Sequence, residues 1–155
     1  MPPYGLHVIG VHTGAVYAEN GLAVLPACSI EDAPPLDTLL IPGGIGSRLG
    51  NPDPRLLDWL RRQAETARRV VSVCTGAYML AATGLLDGRR VATHWQYAED
   101  LARRFPAIHV EPERLFLRDG RSFPGHHPLR VLANSGRPTR SRPRCFWLGR
   151  RCCCR

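Results

Sequence analysis

Apolar residues along the chain fall into short clusters that switch between a period of two and a helical period. Leu6 to His12 (Leu-His-Val-Ile-Gly-Val-His) is a β-branched apolar run closed by the turn pair Thr13-Gly14, and Leu22 to Leu25 predicts a second short strand stopped by Pro26. Asp37-Thr-Leu-Leu-Ile41 is continuous and apolar up to Pro42-Gly43-Gly44, which predicts a strand buried on both faces. The period then changes. Asp53 is placed to cap a helix and Pro54 suits its first position. Leu56, Leu60, Ala64 and Ala67 repeat at helical spacing, while Arg61, Arg62 and Glu65 face outward. Arg69 to Cys74 (Arg-Val-Val-Ser-Val-Cys) predicts another buried strand. It runs without a linker into Thr75 to Leu86, apolar on nearly every side and so a helix enclosed by the fold, ending at Asp87-Gly88. Val91 to His94 predicts a short strand and Gln96 to Arg104 an amphipathic helix stopped by Pro106. Ile108 to Val110 and Leu115 to Leu117 read as two strands paired with each other, ending at Asp119-Gly120. Strands alternating with helices imply an α/β domain around a mostly parallel sheet. After Phe123 the periodicity dissolves into coil, with room for a short strand near Leu129 to Leu132; no internal repeat is present.

At 155 residues the chain has the length of one ordinary domain, and 44% apolar residues suffice for a packed core. No apolar run approaches the roughly 18 residues that a bilayer span needs, and no basic-then-apolar leader opens the sequence. A cytoplasmic protein without a membrane partner is therefore expected. The formal charge of +8 is unevenly spread: through Asp119 there are 12 Arg and all 13 acidic residues, whereas Gly120 to Arg155 holds 9 Arg and no acidic residue. Cysteine divides the same way, with Cys28 and Cys74 in the body and Cys145, Cys152, Cys153 and Cys154 in the tail. Residues 1–123 thus read as a domain and residues 124–155 as an irregular basic tail rich in Arg, Pro and Cys. Nine Arg with only Phe146 and Trp147 to stack predict weak, salt-sensitive attraction to phosphate. No helix-turn-helix pattern is present, so specific nucleic-acid binding by this chain is not expected. Three consecutive cysteines cannot all aim at one ion, and no second half with CxxC spacing accompanies them or His126-His127. Neither a metal nor a cofactor is expected.

Chemistry concentrates at Val73-Cys74-Thr75-Gly76. A residue at a sharp strand-to-helix turn is held in a strained conformation with its side chain above the sheet edge, the geometry of a nucleophile elbow. A cysteine there sits where unpaired N–H groups and the helix dipole favour thiolate over thiol. Gly76 and Ala77 let another backbone approach, and Gly43-Gly44 fall beside it at the sheet edge where α/β ligands bind. The N–H groups of Gly43, Gly44 and Thr75 are placed to form an oxyanion hole. Against this stands burial of Cys74 as a small hydrophobe, the common fate of a free cysteine.

Pro42-Gly43-Gly44, Val71-Ser-Val-Cys-Thr-Gly-Ala77, Gly84-Leu-Leu-Asp-Gly-Arg-Arg90 and Ala92-Thr-His-Trp95, in that order, resemble the ThiJ/PfpI family of the class I glutamine amidotransferase-like superfamily. The nearest branch resembles the N-terminal domain of AraC-type transcriptional regulators, with the isonitrile hydratases close by; the resemblance runs from about Tyr4 to Phe123. It implies a flavodoxin-like three-layer sandwich, frequent homodimers, a reactive cysteine at Cys74 and an oxyanion glycine at Gly44. Two departures accompany it. Family members open with a strand and helix bearing an acid that faces the cysteine, whereas this chain starts at what would be the second strand, so the first βα unit and its acid are expected to be missing. In place of a small-residue turn and a long apolar helix, Pro124 onward resembles GC-rich DNA translated in a shifted frame. Unpaired strand edges then predict a marginal or aggregation-prone product.

His94 is a candidate third residue, since an imidazole within reach could take the thiol proton; a structural or pocket-lining role is the competing reading. His7 and His12 read as solvated or partner-bonded. Two function classes result. One is a ligand-sensing domain of the AraC-type regulator kind, receiving a small-molecule effector in a pocket lined by Cys74, Gly43, Gly44, Thr75 and Gly76. The other is a hydratase or hydrolase in which Cys74 attacks an electrophilic carbon. The missing acid and the His94-Trp95 pair favour the first.

Overall fold

The computed structural model describes residues 5–119 and 129–132. The chain opens with β1 (Ile9–Gly10). A hairpin of β2 (Val16–Tyr17) and β3 (Ala23–Val24) follows, and β4 (Cys28–Ser29) then returns parallel to β1. β5 (Thr38–Ile41) leads through Gly43-Gly44 into the short α1 (Ile45–Leu49), and α2 (Pro54–Thr66) comes next. β6 (Arg69–Val73) turns directly into α3 (Gly76–Ala82). Then come β7 (Arg90–Val91), a 3-10 turn (Trp95–Tyr97) continuous with α4 (Ala98–Arg104), β8 (His109–Val110), β9 (Phe116–Asp119) and β10 (Leu129–Leu132). The main sheet has the order β5-β6-β10-β9, parallel except at the β10–β9 pair, so the fold is α/β with mostly parallel strands.

Local chemistry explains the best-read elements. Asp53 accepts the Arg55 N–H at 2.9 Å as the N-cap of α2, with Pro54 at the first helical position. The stripe of that helix, Leu60, Ala64 and Ala67 together with Trp59, is buried. β6 is buried at Val70, Val71 and Ser72, as its continuous apolar run predicts. Leu39 and Ile41 of β5 join these residues and Tyr78, Leu80 and Ala81 of α3 in one core.

Several elements differ from the sequence reading. β5 is not buried on both faces: Leu40 is 55% exposed, because β5 is an edge strand and nothing among the described residues covers that side. The Leu6 to His12 run contracts to β1, and the Val91 to His94 strand to β7. The helix from Thr75 stops at Ala82 instead of Leu86. There the Thr83 hydroxyl donates back to Leu80 O at 2.6 Å and Gly84 takes φ 77, a left-handed stop. The helix at Gln96 begins as a 3-10 turn. Finally, β8 and β9 do not pair with each other. β8 lies parallel to β7, with Arg90 opposite His109, and β9 lies antiparallel to β10, with Phe116 opposite Leu132. β10 coincides with the short strand expected near Leu129 to Leu132; the rest of the 124–155 tail lies outside the described residues.

Candidate functional site at the strand-to-helix elbow

Cys74 has φ 53 and is the one non-glycine residue with a positive φ among the described residues. A side chain pays for that conformation, so the surroundings must hold it. They do so from three sides. On the β5 side, a Cβ added to Gly43 would lie 3.0 Å from Cys74 Cβ and 3.0 Å from Thr75 N. Beneath, a Cβ on Gly76 would come within 2.4 Å of Ile41 O, so only glycine lets α3 start this close to the end of β5. From the β7 side, the Thr93 hydroxyl donates to Cys74 O at 3.0 Å. The thiol is free and half-buried.

The Thr75 hydroxyl ties the glycine loop to the elbow. It accepts the Gly44 N–H at 2.9 Å and lies 3.0 Å from Gly44 O. The Ser47 hydroxyl, one helical turn away on α1, donates to Gly44 O at 2.7 Å and stands 3.0 Å from Thr75 Oγ1. Gly44 itself adopts φ 156, ψ 169, a region that essentially only glycine occupies. From the β2–β3 hairpin, Glu19 accepts the Ile45 N–H. The Gly44 amide, expected to face an oxyanion, is thus taken up by Thr75, and the next amide along by Glu19.

His94 follows β7 but turns to its own helical turn: its Nδ1 accepts the Gln96 N–H at 3.3 Å, capping the 3-10 segment. Its ring lies 5.7 Å from Trp95 and 5.5 Å from Tyr97. No hydrogen bond joins His94 to Cys74 among the described residues. Behind this aromatic group, the Tyr78 hydroxyl donates to Asp100 at 2.9 Å, and Arg104 pairs with the same carboxylate at 3.0 Å. Burial, then the neighbouring Asp100 carboxylate, push the Tyr78 phenol above its ordinary range. For Asp100, burial alone would raise the carboxyl. The Tyr78 hydroxyl and the Arg103 and Arg104 guanidinium groups outweigh it and hold the group below the usual carboxylate range.

Cys74, Thr75, Gly76, Gly43 and Gly44 therefore converge, with His94 nearby through Thr93. Three contributors escaped the sequence reading: Ser47, Thr93 and Glu19. Thr93 lies within Ala92-Thr-His-Trp95, but nothing set its hydroxyl apart, and no local spacing marked Ser47 or Glu19. A separate groove of about 560 Å³ between the 30–33 loop and α2, lined by Glu31, Arg55, Asp58, Trp59 and Arg62 among others, includes none of the elbow residues.

Comparison with known proteins agrees with this architecture. The model of the DJ-1/PfpI family matches residues 4–122. The chain is 40% identical to an isonitrile hydratase of Pseudomonas putida over 125 residues, which is 81% of this chain and 54% of that protein. It is 32% identical over 120 residues to the HTH-type transcriptional regulator GbdR of Pseudomonas aeruginosa, which is 77% of this chain and 32% of the regulator. Against these two relatives, then, it spans about half and about a third of their length. Among solved structures, a ThiJ/PfpI family protein from Pseudomonas syringae superposes with a TM-score of 0.68 at 27% identity, covering 83% of this chain and 50% of that one.

Proposed function

The chain belongs to the DJ-1/PfpI family, and from that premise we propose that it is a small-molecule-sensing domain of the kind carried by AraC-type transcriptional regulators, with Cys74 lining the effector pocket. The observation that carries this reading is the state of the partners expected for Cys74. The Gly44 amide donates to the Thr75 hydroxyl, and His94 Nδ1 accepts from Gln96. Among the described residues, no acid or base hydrogen-bonds the thiol. A catalytic thiol needs either an activating base or a helix N-terminus that favours the thiolate, and it also needs waiting oxyanion donors; a recognition pocket needs none of these, and here the Gly44 donor is already taken. The relationship to an HTH-type regulator over 77% of the chain supports the same reading. A cytoplasmic location and a homodimer go with it.

A second reading, a cysteine-dependent hydratase, is favoured by one observation. Cys74 keeps its strained φ of 53 at the turn, as an elbow nucleophile does, and the 40% identity to an isonitrile hydratase accompanies it. Incubation of the purified chain with a simple isonitrile separates the two. No hydration above the buffer rate is expected, and turnover that disappears in Cys74→Ser would establish the hydratase instead.

A further inference from the structure

Arg48 occupies an unusual setting beside the elbow. It follows Ser47, whose hydroxyl lies 3.1 Å from Thr75 O and 3.0 Å from Thr75 Oγ1. The Arg104 guanidinium donates to Arg48 O at 2.9 Å and anchors this part of α1. The Arg48 guanidinium itself lies over the Tyr97 ring, 4.3 Å from its centroid. Tyr97 is 5.5 Å from His94, and His94 is 5.7 Å from Trp95, which is 37% exposed. Thr93, one residue before His94, is bonded to the elbow carbonyl. The segments after β5, β6 and β7 thus bring a guanidinium, three aromatic rings and the Cys74 turn to one edge of the fold, where ligands of α/β proteins bind.

The charges there do not balance. Of the arginines in this cluster, Arg103 and Arg104 pair with Asp100, whereas Arg48 makes no ion pair among the described residues. Asp100, the acid of this cluster, is engaged by Tyr78, Arg103 and Arg104. Glu19, the acid at the Gly44–Ile45 turn, accepts the Ile45 amide. The Tyr97 ring holds the guanidinium at 4.3 Å, and no hydrogen bond engages its N–H groups among the described residues, which leaves them for a planar, two-oxygen acceptor.

We propose that Arg48 is a ligand-recognition residue of the elbow site, and that the molecule received there is a small organic carboxylate. Its anionic end meets the Arg48 fork and its body lies against Tyr97, His94 and Trp95. This rests on the reading of the elbow as a small-molecule site, and the test separates the two. Cys74 is alkylated with iodoacetate or with the neutral iodoacetamide, and the rate at that residue is followed by peptide mass spectrometry. The ratio of the two rates is then divided by the same ratio for glutathione. Because the neutral reagent reports accessibility, the ratio isolates the charge. A ratio above that of glutathione is expected, falling about threefold to fivefold in Arg48→Gln and largely kept in Arg48→Lys. A wild-type ratio equal to that of glutathione, or one unchanged in Arg48→Gln, overturns the carboxylate assignment and leaves the site standing. Failure of both reagents to reach Cys74 in the folded chain removes the site and the assignment together.

Discussion

Gly76 has no space for a side chain: a Cβ there would stand 2.4 Å from Ile41 O and 2.9 Å from Pro42 O, both backbone atoms. Neither carbonyl can retreat without opening the turn from β5 into Gly43-Gly44, and that turn supplies the Gly44 amide bonded to Thr75. Gly76→Ala is therefore expected to cost about 1–3 kcal/mol, measured as a lower unfolding midpoint in denaturant at unchanged m. An unchanged midpoint would mean that the Ile41–Gly76 approach is not as close as described. The importance of Gly76 was readable from its place after the elbow cysteine, and the closeness of Gly43 from the glycine pair after a buried strand. Ser47, Thr93 and Glu19 were not readable, because each acts on a residue 19 or more positions away through a hydroxyl or carboxylate that no local spacing marks. His94 shows the converse. The sequence set it beside a cysteine it could deprotonate, but an imidazole just before a helical turn has a nearer use, accepting an unpaired N–H of its own segment.

β5 and β6 run side by side, and their starts are joined by Asp37. Its carboxylate receives Arg68 Nε at 2.6 Å and Nη2 at 2.9 Å, the Thr38 hydroxyl at 2.8 Å and Arg69 Nη2 at 3.1 Å. Chiefly the Arg68 hydrogen bonds, then those of Thr38 and Arg69, hold this carboxyl far below the ordinary value of 3.8. A depressed folded-state value means that the native chain keeps the charge where the unfolded chain has already taken a proton. The contribution to stability is complete above pH 3.8 and fades as the pH falls below it. Asp37→Asn should accordingly melt below the wild type near neutral pH, with the gap closing as the pH is lowered through and beyond 3.8. Because the pair is exposed, the gap should also shrink in high salt. A gap independent of pH would assign the effect to lost packing. β5, β6 and α2 were readable because their boundaries are written locally, in Pro42-Gly43, in Asp53-Pro54 and in a period that changes. The partners of β8 and β9 were not. Two short strands adjacent in sequence suggest a hairpin, yet β8, returned by α4, completes a parallel pair with β7, and β9 pairs with β10.

Across the whole molecule, the order β5-β6-β10-β9 sets Leu129–Leu132 between two strands of the body, although it lies within the stretch that carries the basic excess. The charge boundary near residue 120 and the boundary of the sheet are therefore different places. β6 is buried on both faces and uses β10 as its second neighbour, while among the described residues β9 has β10 as its only partner in the sheet. Removing residues 124–155 would convert β6 into an edge and leave β9 unpaired, adding open backbone to a sheet whose other edge already shows Leu40 to solvent. Removing only residues 137–155 would keep every described strand of the sheet and delete 7 of the 9 tail arginines. The two truncations should behave differently. The marginal product that unpaired edges predicted is now expected of the 1–123 chain, because β10 fills the place between β6 and β9: the 1–136 chain should melt cooperatively with the midpoint of the full chain, and the 1–123 chain should lose that transition or aggregate on concentration, as followed by circular dichroism and light scattering. A 1–123 chain that melts like the full one would show that the body ends at Phe123 and that the pairing through β10 adds nothing to its stability.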